Sequence, residues 1–244
     1  MVVSMERWKG TVAVVTGASG GIATEIVKKL LENGVIVVGM SRQKEVVQNI
    51  SSSNDLHSLR VDLRNEDEIL TALDWVKKTI GPIHILINCA TTFWCTSTVY
   101  GETKLWKDTF DTEIFGLLVP TKEVVKQMIS NHINGHVIHI SGLCGHGVYI
   151  PNAYAITACK TAVTSMTESL RRELIDLNSK IKISNIAPGV TKTDIFKKNI
   201  SDQPELGEYI KKANFEVFLD ASDVADAVIY VLSTPPHVQV EYFD

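Results

Sequence analysis

Glycines crowd one short stretch of this 244-residue chain, Thr16-Gly17-Ala18-Ser19-Gly20-Gly21-Ile22-Ala23. It follows a β-rich apolar run at 12–15 and precedes an amphipathic stretch at 22–32. A strand, a glycine turn and a helix start, in that order, let backbone pass close to a pyrophosphate while the first helical amides point at its oxygens. The chemistry this predicts is dinucleotide binding; an ordinary strand-to-helix turn is the alternative reading of a glycine cluster. The next apolar run ends in Gly39-Met40-Ser41-Arg42. A carboxylate there would bond the ribose hydroxyls of NAD and repel the extra phosphate of NADP. Ser41 and Arg42 instead offer a hydroxyl and a guanidinium to a 2′-phosphate, so the sequence favours NADP over NAD, against the plainer reading of Arg42 as a solvated cation. The four cysteines, Cys89, Cys95, Cys144 and Cys159, make no CxxC pair and no metal-ligand spacing. They predict reduced thiols with no metal site and no disulfide framework. His146, in the loop Gly145-His146-Gly147, is able to act as acid or base near neutral pH, with a solvated loop histidine as the simpler reading.

These groups need a scaffold, and the apolar pattern supplies one. Short β-rich runs without alternation at 12–15, 35–40, 83–88, 136–140 and 181–186 read as strands buried on both faces. Between them, stretches with apolar residues every three or four positions at 22–32, 66–79, 106–130, 160–178 and 223–232 read as helices. Strand and helix alternate, which predicts an α/β fold: a single Rossmann-type doubly wound parallel sheet flanked by helices on both faces, one domain over 1–244. The stretch 191–219 has weak periodicity and reads as an excursion covering a ligand, with Ile195, Phe196, Tyr209 and Phe218 suggesting an apolar pocket or packing of its own helices. Hydrophobic residues make up 45% and charged residues 21% of the chain, with net charge -4, which excludes a disordered chain and any basic face for nucleic acid. No apolar run reaches the ~20 residues of a membrane helix, and the N-terminal decapeptide lacks a signal-peptide core, so a cytoplasmic protein off the membrane is expected.

Along nearly its whole length the chain resembles the short-chain dehydrogenase/reductase family. The family's TGxxxGIG stands here as TGASGGIA, its adenine-pocket Asp as Asp62 in RVDL, its strand-end NAG as Asn88-Cys89-Ala90, and its PGxxxT as Pro188, Gly189 and Thr193 in APGVTKT. The run KTAVTSMTESLRREL matches an NADP-dependent branch that acts on terpenoid- or steroid-like alcohols. The resemblance implies a nucleotide held by Gly17, Ser19, Gly20, Gly21, Ile22, Arg42, Asp62, Leu63, Asn88, Ala90, Lys160, Pro188, Gly189, Val190 and Thr193. Read from the residues alone, Asp62 is equally a turn or cap residue. The resemblance further implies a small apolar alcohol or carbonyl ligand, and a homodimer or homotetramer paired through the helices at 106–130 and 160–178. It also implies a pocket-lining C-terminal segment, missing or shortened where this chain stops at Asp244.

Active members of the family use an Asn, a Ser, a Tyr and a Lys, the Tyr serving as general acid or base beside a hydride donor. Lys160 matches the Lys. The Tyr of YxxxK falls on Ile156, the substrate-polarising Ser on Gly142 and the Asn on Glu113; Ala23 and Thr91 stand where further glycines are usual. Three readings follow. In the first, NADP(H) is bound but ordinary alcohol/carbonyl redox is lost or weakened. In the second, a displaced pair, Ser141 and Tyr154, works with Lys160; yet Tyr154 and Lys160, six apart, diverge by about 240° if both are helical. In the third, the scaffold runs non-redox chemistry as a cyclase or isomerase, or only binds a ligand, with Glu113, His146 and Cys144 as candidate groups. Cys144 and Cys159 otherwise pack near the expected pocket.

Overall fold

The computed structural model describes residues 3–147, 150–202, 204–212 and 218–243. Seven parallel strands form one sheet in the order β3-β2-β1-β4-β5-β6-β7: β1 (Val12–Thr16), β2 (Ile36–Ser41), β3 (Leu56–Arg60), β4 (Ile83–Asn88), β5 (His136–Ile140), β6 (Lys182–Ile186) and β7 (Tyr242–Phe243). β1 shows why these segments are strands. All five of its residues are buried, and four are β-branched, which suits a pleated surface covered on both sides. Its side chains alternate between two cores. Ala13 and Val15 pack with α1 (Gly21–Glu32) and α9 (Ala221–Ser233), through Ile26, Leu30, Val228 and Leu232. Val12 and Val14 pack with α3 (Glu66–Thr79), α5 (Gly116–Ser130) and α6 (Tyr154–Asp176), through Val76, Val124, Met128 and Leu174.

Register brings the carboxyl ends of the strands to one edge: Thr16 lies opposite Met40 and Asn88, Asn88 opposite His139, and Ile140 opposite Ile186. Strand order reverses between β1 and β4, and ligands of open parallel sheets bind in the crevice at that switch point. Besides the two-residue β7, four elements were not marked by the apolar pattern. β3 is an edge strand of sequence LHSLR with little β-branching, α2 (Lys44–Gln48) is barely a turn long, and the stretch at 191–219 holds α7 (Asp194–Asp202) and α8 (Pro204–Lys212). Residues 203 and 213–217 of that stretch lie outside the described residues. The stretch predicted as one helix at 106–130 is three pieces: α4 (Thr103–Phe110), a wide π-type turn (Asp111–Phe115) and α5. Pro120 lies in the first turns of α5, where its missing N–H removes one hydrogen bond of the ladder.

Two histidines of β5 are buried in this scaffold. His139 lies between Thr167 Oγ1 at 2.9 Å and Thr121 Oγ1 at 3.3 Å; burial, and after it the charge of Lys160, pushes it down to about 3. His136 meets Ser184 Oγ at 3.0 Å and is held well below its ordinary value by burial, then by Lys182 and Arg7. The folded chain keeps both neutral while the unfolded chain protonates them near pH 6.5, so this stabilisation is full above that pH and falls as pH drops. Each histidine should lower stability by about 1.4 kcal/mol between pH 7.5 and 5.5. Urea unfolding at the two pH values should show this loss, and His139→Gln should lessen it by one histidine's share; an unchanged difference would count against the assignment.

Candidate active site

A cleft of about 420 Å3 opens at the switch point. Its floor is the glycine turn. Gly17 has φ +66°, and a Cβ there would lie 2.5 Å from Ala90 Cα, so only glycine lets β1 and the loop after β4 approach so closely. α1 begins after Gly20 with no side chain capping it, which leaves its leading amides facing the cleft. A backbone cradle with open helix amides suits a pyrophosphate. Ala23, where a glycine is usual, is buried against the sheet core and leaves the turn intact.

At the far end of the cleft, Ser19 and Ser41 share a hydroxyl hydrogen bond of 2.6 Å, and Arg42 lines the wall beside them. Asp62 lines the same wall, gripped by Arg64 through Nε at 2.9 Å and the terminal guanidinium nitrogen at 2.5 Å, which holds its carboxyl down at about 2. Twelve of the fifteen nucleotide positions inferred from sequence line the cleft. Gly189 and Val190 line the adjoining cavity instead. Asn88 lines neither: as the last residue of β4 its side chain turns into the core, where Nδ2 donates to Thr121 Oγ1 at 2.9 Å. The loop after β4 is tied to β1 by Thr16 Oγ1, which accepts from the amides of Cys89 and Ala90.

The adjoining cavity, about 200 Å3, has apolar walls from Phe93, Leu143, Ile150, Ile156, Ile195 and Phe196. Phe218 stacks behind Phe196 with ring centroids 5.9 Å apart, while Tyr209 on α8 lines neither space. Thr91, Ser141, Lys160 and Thr193 border both cleft and cavity, so the polar groups gather at the junction.

Lys160 is the centre of that junction. Its buried ammonium donates to Glu113 Oε2 at 2.8 Å and to Ile140 O at 3.1 Å. Glu113 projects from the π-type turn and is 2% exposed. Its other oxygen accepts from Thr91 Oγ1 at 2.5 Å and from the amide of Thr92 at 2.8 Å. Burial alone pulls Lys160 down, but Glu113's charge and hydrogen bond outweigh it, and the ammonium is held above its ordinary value. From sequence, Thr91 stands only as a departure, and Glu113 as a departure and a candidate group for non-redox chemistry. That Gly→Thr and Asn→Glu occur together with a retained Lys was the available signal, since a new buried carboxylate demands a cation and donors.

The remaining candidates divide. Ser141 is buried at the junction, its hydroxyl 3.4 Å from Ile186 O. Tyr154 starts α6, is 47% exposed and lines neither space, whereas Ile156 is buried against the cavity. A Cβ at Gly142 would meet Cys144 Sγ at 3.5 Å, an ordinary contact, so a serine there is not excluded by space. Cys144 lines the cavity with its thiol pushed up by burial, and burial pushes Cys89 and Cys159 up to about 12, so none is a thiolate near neutral pH. His146 lies beyond the short turn Leu143–Gly145 and lines neither space. Among the described residues no group of His, Cys, Asp and Glu is arranged to hold a metal ion.

A sequence model of the short chain dehydrogenase family matches residues 11–204. The chain belongs to that family. Among short-chain dehydrogenases, it is 34% identical to farnesol dehydrogenase of Aedes aegypti over 97% of this chain and 95% of that one. It is 37% identical to the mouse dehydrogenase/reductase SDR family member 11, over 97% and 94% of the two chains. The closed form of a serine dehydrogenase complexed with NADP+ superposes with TM-score 0.85 at 25% identity, covering 96% of this chain and 93% of the other. A 3-ketoacyl-(acyl-carrier-protein) reductase from Brucella melitensis, at 19% identity, shares the fold with TM-score 0.84 over 99% and 97%.

The Glu113–Lys160 pair sets a stability test. Lys160→Met leaves a buried carboxylate uncompensated and should cost about 3–5 kcal/mol, whereas adding Glu113→Leu should recover most of it. A double-mutant cycle by urea unfolding measures the coupling; additive losses would show that the pair is not coupled.

Proposed function

We propose that the chain binds NADP(H) in the cleft and an apolar alcohol or carbonyl compound, terpenoid- or steroid-like, in the cavity beside it, and that ordinary alcohol/carbonyl turnover is lost or greatly weakened. One observation carries the second half: buried Ile156 stands where the family's acid/base Tyr belongs, and Lys160's charge is engaged by Glu113. The cleft fits the nucleotide, with the glycine cradle for phosphates, Ser41 and Arg42 for a 2′-phosphate, and Lys160's remaining N–H for an oxygen at the junction. When bound, a nicotinamide supplies a hydride donor or acceptor. The structural neighbour complexed with NADP+ and the relationship to a farnesol dehydrogenase support this choice of cofactor and ligand class. Tyr154, on the exposed end of α6, lends nothing to a displaced-tyrosine mechanism.

The proposal extends to assembly and setting. One domain spans the chain, and α7 and α8 cover the cavity, to which Ile195 and Phe196 contribute walls. Exposed Phe110, Phe115 and Leu118, along the α4–α5 stretch, support a homodimer through that face. Four free cysteines and a net charge of -4 suit a reducing cytoplasm and a protein that binds no nucleic acid. No helix among the described residues is long and apolar enough to cross a membrane.

NADPH should give saturable fluorescence enhancement and bind at least about tenfold more tightly than NADH, a margin that Arg42→Ala should erase. Restoring the family's groups with Glu113→Asn, Gly142→Ser and Ile156→Tyr together should raise farnesol oxidation by NADP+ at least about a hundredfold. Wild-type turnover equal to that of the restored variant would overturn the loss of activity, and equal binding of NADPH and NADH would overturn the cofactor assignment.

A further inference from the structure

Glu113 and Thr91 form one hydrogen-bonded chain with the retained Lys160, and its outer end is open. A carboxylate only accepts hydrogen bonds, and a threonine hydroxyl has a single proton. Of the two acceptors in reach, Glu113 Oε1 at 2.5 Å is far nearer than Thr92 O at 3.3 Å, so that proton points inward and the lone pairs of Thr91 Oγ1 are what the hydroxyl offers to the junction. Thr91 is exposed there and borders both the cleft and the apolar cavity. Lys160 has used two of its three N–H groups, on Glu113 and Ile140, and also reaches the junction.

From this geometry, and resting on the nucleotide and ligand reading above, we propose that Thr91 is the group that receives the substrate's proton, in a site built for alcohols rather than carbonyl compounds. A ligand hydroxyl can donate to Thr91 Oγ1 and accept from Lys160's remaining N–H; a carbonyl oxygen can only accept, and leaves Thr91 unsatisfied. In the oxidising direction the substrate O–H bond breaks as its proton moves to Thr91 Oγ1, while Thr91's own proton passes to Glu113 Oε1. Lys160 keeps its ammonium throughout, and the carbinol hydrogen leaves with its electron pair as hydride to an oxidised nicotinamide. The substrate thus loses two electrons and two hydrogens. Glu113 acts through Thr91, holding its proton and orienting its lone pairs. Such a relay accounts for any turnover left without a tyrosine.

Dead-end complexes test the preference without turnover: geraniol titrated into the NADPH-saturated chain, and its aldehyde geranial into the NADP+-saturated chain, each followed by calorimetry. Wild type should bind the alcohol at least about tenfold more tightly than the aldehyde. Thr91→Val, which keeps the shape and removes the hydroxyl, should bring the two affinities within about threefold by weakening the alcohol alone, each titration made at nucleotide saturation for that variant; Thr91→Ser should restore the wild-type ratio. Equal affinities in wild type, or a ratio that Thr91→Val leaves intact, would overturn the proposal while the ligand reading stands. Binding of neither compound, with NADPH still bound, would overturn this proposal together with the reading of the cavity.

Discussion

A lysine and a glutamate, both buried, face each other at the carboxyl edge of the sheet. Two buried charges are tolerable only when each offsets the other's lost hydration and when the remaining lone pairs and protons also find partners. Here they do. Glu113 takes donors from Thr91 and Thr92 besides Lys160, and Lys160 adds the carbonyl of Ile140. The pair therefore depends on four elements at once: α6, which carries Lys160, the end of β5, the loop after β4 and the π-type turn between α4 and α5. That dependence runs in both directions, because the pair pins those elements around the junction of cleft and cavity. Its positive end also reaches inward, where Lys160 helps keep His139 neutral within the sheet.

Much of the scaffold was legible because its signals are strong and local. Runs such as VAVVT and IHILIN can hardly be anything but strands buried on both sides, and a glycine turn between strand and helix has a backbone reason that survives without context. The failures share a different cause. β3 pairs on one side only and so carries no heavy demand for β-branched residues, and α7 and α8, of nine residues each, are too short to show a sustained helical period. The wide turn at Asp111–Phe115 is a backbone irregularity with no residue type that announces it, yet it is what turns Glu113 inward. Asn88 was placed by motif in the cleft, but strand alternation sends its side chain the other way.

At the site, individual departures were visible while their relation was not. Gly142, Ile156, Glu113 and Thr91 read one at a time look like erosion of a family pattern. In space, two of them complete a network around the retained Lys160, and no buried charge is left unmatched by the change. Erosion alone has no reason to produce that match. Family membership thus describes the cradle for the nucleotide well and says little about how protons travel beside it.

The excursion that carries α7 and α8 leaves and rejoins the rest of the chain at a single neck. Val190 O accepts from the amide of Leu219, whose own carbonyl accepts from Lys192, and a lone bridge joins Thr191 to Leu219. Everything between is a closed excursion, and closing a loop of different length at a fixed neck changes the entropy of closure only logarithmically. The excursion is in that sense a replaceable module. A change in its length leaves the register of β5 and β6 and the glycine cradle untouched, while a change at Ile195 or Phe196 alters the cavity wall.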